Sequence, residues 1–202
     1  MISAVLTGFG VGGGLIIAIG AQNAFLLGQG LRRQHHIMVA LICAFSDALL
    51  ISIGVAGLGG LISSNPFWTE LMAWGGAAFL GWYGLKSFKS LFSNHHLEKE
   101  KSHGKSRKEI LLYTLAVTFL NPHVYIDTIV LVGGIAAQYE FEPRLYFALG
   151  AISASLCWFS FLAFAASWAS PYLSRPITWK VIDGLTGSVM WLIAFSLIKE
   201  QL

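Results

Sequence analysis

Long apolar runs alternate with short polar links along almost the whole chain. No Lys, Arg, Asp or Glu appears before Arg32, and between Ile37 and Asn65 the only charged residue is Asp47. A helix needs about 20 apolar residues to cross a hydrocarbon core about 30 Å thick. On that scale the pattern predicts six membrane-spanning helices, at 3–27, 37–62, 67–92, 110–137, 145–168 and 178–198. The third is the weakest, because its charge-free stretch covers only 71–85. Lys86 and Lys89 lie toward its end, where long basic side chains snorkel to the interface. The links at 28–36 and 63–66 are short enough to force antiparallel neighbours. The expected fold is all-α: one polytopic membrane domain over 1–202.

Composition supports this pattern. Of 202 residues 55% are hydrophobic and 11% charged, against about 25% charged in a soluble domain. A soluble fold would have to expose the excess Leu, Ile, Phe and Trp, whereas a bilayer covers it, so membrane lipid is an expected partner and nucleic acid is not. The run 15–21 resembles a short signal-peptide core, but the first 31 residues lack the basic residues such a peptide begins with. Cys43 and Cys157 both fall inside apolar runs, so neither a disulfide framework nor a zinc site is expected, and no cofactor.

The net charge of +3 matters through its placement. The first, third and fifth links with their flanks hold Arg32, Arg33, Lys86, Lys89, Lys99, Lys101, Lys105, Arg107, Lys108, Arg175 and Lys180, and the opposite side holds Arg144 and Lys199. The positive-inside rule places the richer side in the cytoplasm of a bacterial-type inner membrane, with both termini outside. The polar stretch 93–109 becomes a cytoplasmic linker. Its His95, His96 and His103 match no standard zinc spacing and read as part of a solvated loop rather than a metal site.

That linker divides the chain into three helices (about 1–92) and three more (about 110–202). A three-span unit inverts when it is repeated, the plan of two inverted three-helix repeats found in many transporters. The first span of each half is interrupted by helix-breaking residues: Gly20-Ala21-Gln22-Asn23-Ala24 in one, Asn121-Pro122-His123 in the other. Proline removes a helix hydrogen bond and clashes with the preceding turn. Inside a membrane, backbone freed in this way survives only against protein or a watery cavity. Paired breaks at corresponding positions therefore point to a binding site, with simple packing kinks as the blander reading. The pairs Gly8/Gly12, Gly10/Gly14, Gly150/Ala154 and Gly184/Ser188 have the spacing of close helix contacts. In the first span those contacts fit one chain or a homodimer equally well.

Asp47 sits near the middle of span 2 and Asp127 well inside span 4. A carboxylate at a helix centre costs about 3 kcal/mol on the insertion scale. Both are expected to face the bundle interior, either as structural glue or as cation and proton sites. Ala40, Cys43, Asp47 and Gly54 share one helical face, small enough to leave room beside the carboxylate. Tyr125, between the Pro122 break and Asp127, serves as a hydrogen-bond donor or an interface anchor. His123 reads as a proton relay or a packing residue. Asp183 and Glu70 lie near membrane boundaries, where capping or interfacial solvation accounts for them.

The chain resembles the LysE family of amino-acid exporters, most closely its lysine/arginine branch. The resemblance is carried by Gly20-Ala21-Gln22-Asn23-Ala24-Phe25, Gln29-Gly30-Leu31-Arg32-Arg33-Gln34, Ser46-Asp47, Trp74-Gly75-Gly76, the run 147–155, and above all Asn121-Pro122-His123-Val124-Tyr125-Ile126-Asp127. It implies secondary export of basic amino acids, with no enzymatic step. Ala18 and Ala21 stand where the family usually has prolines, and Asp183 where it usually has Asn. A mechanism follows in which Asp47 and Asp127 hold either a proton or the substrate cation. Gln22, Asn23, Asn121 and Tyr125, at and beside the breaks formed by Gly20 and Pro122, would complete the substrate site. The nearest alternatives are export of a neutral amino acid or of a metal cation. A channel would need rings of polar residues, which the pattern lacks. A membrane enzyme would have only His123 beside Asp127 to build on.

Overall fold

The computed structural model describes residues 1–17, 20–57, 66–92, 106–171 and 176–199, and every regular element among them is helical. The first predicted span is two helices, α1 (Ile2–Ile16) and α2 (Ala21–Leu31), set at 78° to each other. Gly20, extended at φ −107° and ψ 179°, starts α2. Helix α3 (His36–Val55) ends in a turn at Gly57, whose φ of +87° favours a residue without a Cβ. The predicted continuation of span 2 to 62 runs past this turn, and 58–65 lie outside the described residues. Helix α4 is Pro66–Phe92.

The second half opens with α5 (Arg107–Phe119), three residues earlier than its pattern predicts. Ser106 accepts a hydrogen bond from the Glu109 amide at 3.2 Å and so caps the helix inside the polar stretch. The rest of that stretch, 93–105 with His95, His96 and His103, lies outside the described residues, as does Ala18. After Asn121 the chain resumes as α6 (Pro122–Tyr125), passes through a π-helical segment (Ile126–Leu131) and ends in α7 (Val132–Ala136). This arm turns 65° from α5. Two long helices follow, α8 (Phe141–Ala169) and α9 (Pro176–Lys199).

Helices α3 and α8 are each long and apolar enough to cross a bilayer, and counting each bent arm as one span brings the number to four among the described residues. Helices α4 and α9, at 27 and 24 residues, exceed 30 Å at 1.5 Å per residue. They carry more charge: Glu70, Lys86 and Lys89 in one, Lys180, Asp183 and Lys199 in the other. The outer surface bears large exposed apolar side chains, among them Phe45, Phe161, Phe164, Leu192 and Phe195. Such a surface is suited to lipid rather than water.

Close backbone contacts hold the bundle together. A Cβ on Gly8 would overlap the Phe147 carbonyl, and one on Gly150 would overlap that of Val5, so α1 lies directly against α8. Gly12 continues the seam, 2.9 Å from the Ala151 Cα by the same measure, while Gly10 and Gly14 meet nothing within 4 Å. Of the two glycine pairs with identical spacing, only Gly8/Gly12 packs within the chain. Gly54 and Gly133 meet backbone to backbone, which seats α3 against the π-helical arm. Helices α4 and α9 form the other main pair, joined by Phe88 and Trp191 with ring centroids 5.2 Å apart and by the Trp191 indole donating to the Gly81 carbonyl at 3.1 Å.

Candidate functional site

Both broken arms point their interruptions at one cavity of about 220 Å³, whose lining includes Gly20, Gln22, Asn23, Asp47, Asn121, His123, Asp127 and Thr128. That is room for several water molecules or a small organic solute. Asparagine side chains stabilise both breaks. In the first arm, Asn23 Nδ2 donates to the Ile16 carbonyl at 2.8 Å, satisfying a group freed at the end of α1. In the second, Asn121 Oδ1 accepts from the His123 amide at 3.2 Å and caps α6. Tyr125 spans that second break, its hydroxyl donating to the Phe119 carbonyl at 2.8 Å. It is not among the residues lining the cavity; its place is in the wall.

Asp47 is buried at 2% exposure, and its Oδ2 accepts from Ser155 Oγ of α8 at 2.9 Å. Ala40, Cys43 and Gly54 are buried along the same face of α3, but the room expected beside the carboxylate is not there: Gly54 packs against Ile129 and Gly133, and α3 lines the cavity with Asp47 and Ile51. Asp127 enters from the π-helical segment and is half-buried, one turn after His123. A π-helical turn rotates the side chains after it relative to an α-helix, a device often found at functional sites. Gln22 Nε2 donates to Thr118 Oγ1 at 3.0 Å, tying the two arms together beside the cavity. No Lys or Arg is among the described residues lining the cavity, and His123 is the titratable base that shares it with the two carboxylates. Such a space accepts a cation or requires protons.

Three polar contacts escape the sequence pattern. Ser155 and Trp158 lie on α8, where an isolated serine and a tryptophan read as packing residues. Yet Ser155 holds Asp47, and the Trp158 indole donates to Asn23 Oδ1 at 3.2 Å. Asp183 is the third. Its expected boundary environment is corrected by the structure: it is 4% exposed and paired with Arg32 from the end of α2. Lys86 likewise does more than snorkel, lying 5.3 Å from the Trp82 ring centroid and 5.6 Å from that of Tyr113.

Among the described residues no group of three or more His, Cys, Asp or Glu is placed to hold a metal ion. Residues 14–201 match the family described as LysE type translocator. Among curated proteins, the arginine exporter protein ArgO of Salmonella enteritidis PT4 is 47% identical over 201 residues, covering 99% of this chain and 95% of that one. The protein of the same name from Salmonella typhimurium LT2 is 46% identical over the same shares. No solved structure matches the chain.

Proposed function

The chain belongs to the LysE type translocator family, and from that premise we propose that it carries arginine, and lysine beside it, out of the bacterial cytoplasm in exchange for protons. Membership makes it an amino-acid exporter of the membrane and not an enzyme. The arginine assignment draws support from the relatives named arginine exporters. The observation that carries the reading is the cavity that Asp47 and Asp127 share, lined by no described Lys or Arg.

A cationic amino acid brings two poles to this space. Its guanidinium or ammonium side chain pairs with the carboxylates. Its α-carboxylate suits the start of α2, where Gly20, Ala21, Gln22 and Asn23 line the cavity at the positive end of the helix dipole. Asn121 offers a further side-chain amide. Tyr125 holds the second break in shape from behind.

Charge sets the need for coupling. Export of one positive charge against an inside-negative potential costs about 2.3 kcal/mol per 100 mV. One proton moving inward cancels that charge movement. A carboxylate that holds either the proton or the cargo cation, and never both, performs this exchange with one group.

Alternating access follows from rocking of two inverted three-helix halves, about 1–92 and 110–202. A repeat relation between the halves accounts for the packing across them: α8 lies against the first bent arm, as α3 lies against the second. The basic end, with Arg32, Lys86 and Arg107, faces the cytoplasm, and both termini face outward.

The test is loss of labelled arginine and lysine from loaded cells expressing the wild type, the Asp127→Asn variant or an empty vector. Faster loss with the wild type alone supports the reading. Equal loss from all three, with the protein shown in the membrane, overturns it and moves the substrate to a neutral amino acid or a metal cation.

A further inference from the structure

A second carboxylate site lies at the other end of α2, away from the central cavity. The corner after α2 is fastened to the second half of the chain by three interactions. Arg33 Nε donates to the Ser167 carbonyl at 3.0 Å, Ser170 Oγ donates to the Leu31 carbonyl at 2.7 Å, and Arg32 pairs with Asp183. Only the last is an ion pair. Asp183 is buried in α9, whereas the Arg32 side chain is 35% exposed at the basic end of the bundle. One turn back along α2 on the same face, Gln29 is 2% exposed, and its Oε1 has no hydrogen-bond partner among the described residues. A buried carbonyl oxygen left without a donor is an unused acceptor, here one turn along α2 from the residue whose guanidinium pairs with Asp183.

An aromatic pair packs beside the middle of α2. Phe25 and Tyr83, both buried, meet edge to face with ring centroids 5.7 Å apart. The eleven residues of α2 run from the cavity at Ala21 to the ion pair at Arg32, about 16 Å at 1.5 Å per residue.

We propose that Asp183, with Gln29 Oε1, is a loading station for the guanidinium or ammonium of the cargo, and that Arg32 occupies it as an internal substitute while the basic end is closed. This rests on the export reading above. The cargo's side chain carries the same group as Arg32, so one guanidinium replaces another and the buried carboxylate is never left without a counter-charge. Displacing Arg32 also releases the one ion pair that joins α2 to α9 among the described residues. Loading and opening of the basic end thereby become one event.

Inverted membrane vesicles, in which export appears as uptake, provide the test through the half-saturating concentration of labelled arginine. A loading station and a merely structural ion pair give opposite patterns. For a station, Asp183→Asn raises the half-saturating concentration about tenfold, the loss of one charge-assisted contact. Arg32→Gln, which removes the internal competitor, lowers it below the wild-type value, and the double variant stays as high as Asp183→Asn alone. For a structural pair, both single variants impair transport alike and the neutral double variant returns to the wild-type value. That second pattern overturns the proposal even if a single variant is poorly folded, because the double variant leaves no buried charge unpaired. Wild-type vesicles that take up no arginine overturn the export reading itself, an outcome distinct from normal wild-type uptake with the structural pattern.

Discussion

Ser155→Ala isolates one interaction at the centre of the account. The Ser155 side chain is fully buried on α8, and its Oγ lies 2.9 Å from Asp47 Oδ2. Alanine removes that donor and little else, because Ala is the nearest smaller residue and the site adjoins the backbone of a long helix. A hydrogen bond to a charged group contributes about 1.5–3 kcal/mol in soluble proteins. Inside membrane bundles the measured contribution is lower, about 0.6 kcal/mol on average with a maximum near 1.7. A loss of about 1–1.5 kcal/mol is therefore expected in the state with Asp47 ionised and facing the cargo cation, or roughly a five- to tenfold weaker apparent affinity. The assay is the half-saturating arginine concentration for uptake into inverted vesicles, normalised to protein content. Ser155→Thr, which keeps the hydroxyl, is expected to remain within about twofold of wild type. An alanine variant as effective as wild type at every arginine concentration would refute the claim that Ser155 supports a working Asp47 carboxylate.

Other outcomes follow from the geometry. Gly8→Ala drives a Cβ into the Phe147 carbonyl, whereas Gly10→Ala meets open space; overpacking costs about 1–3 kcal/mol, so heat denaturation in detergent should show a lower midpoint for the first variant only, and equal midpoints would contradict the α1–α8 seam. Asn121→Ala removes the side-chain cap of α6 and is expected to cost about 1 kcal/mol of stability, read as an earlier denaturation midpoint with lower arginine export. Trp158→Phe keeps the ring but loses its donation to Asn23 Oδ1; reduced export at unchanged protein level is expected, and full activity would make that contact dispensable.

Particular residues show how far the sequence reaches. The two breaks are legible because glycine, asparagine and proline disrupt a helix for local reasons, and the structure brings both to one cavity with Asp47 and Asp127. The small-residue face around Asp47 is legible because helical spacing alone defines it. Spacing does not give direction: Gly8/Gly12 and Gly10/Gly14 are identical as patterns, yet only the first pair meets a neighbouring helix. Long-range partners are the harder case. Depth along a helix places Asp183 near a boundary, but Arg32, 151 residues away in sequence, is what balances its charge. Ser155 stays hidden for the same reason, since a serine in an apolar helix carries no mark of the carboxylate that faces it. Helix ends also escape the hydropathy pattern: Ser106 starts α5 within a polar stretch, and Gly57 closes α3 within an apolar one.

The central claim is exchange of a cationic amino acid for a proton through the two-carboxylate cavity. Its most direct test uses inverted vesicles with an acid interior and the membrane potential clamped at zero, followed by labelled arginine. At one proton per arginine, a gradient of one pH unit is expected to drive about tenfold accumulation. That accumulation should vanish when the gradient is collapsed and in both Asp47→Asn and Asp127→Asn. Accumulation that ignores the gradient, or that persists in either variant, would contradict the account.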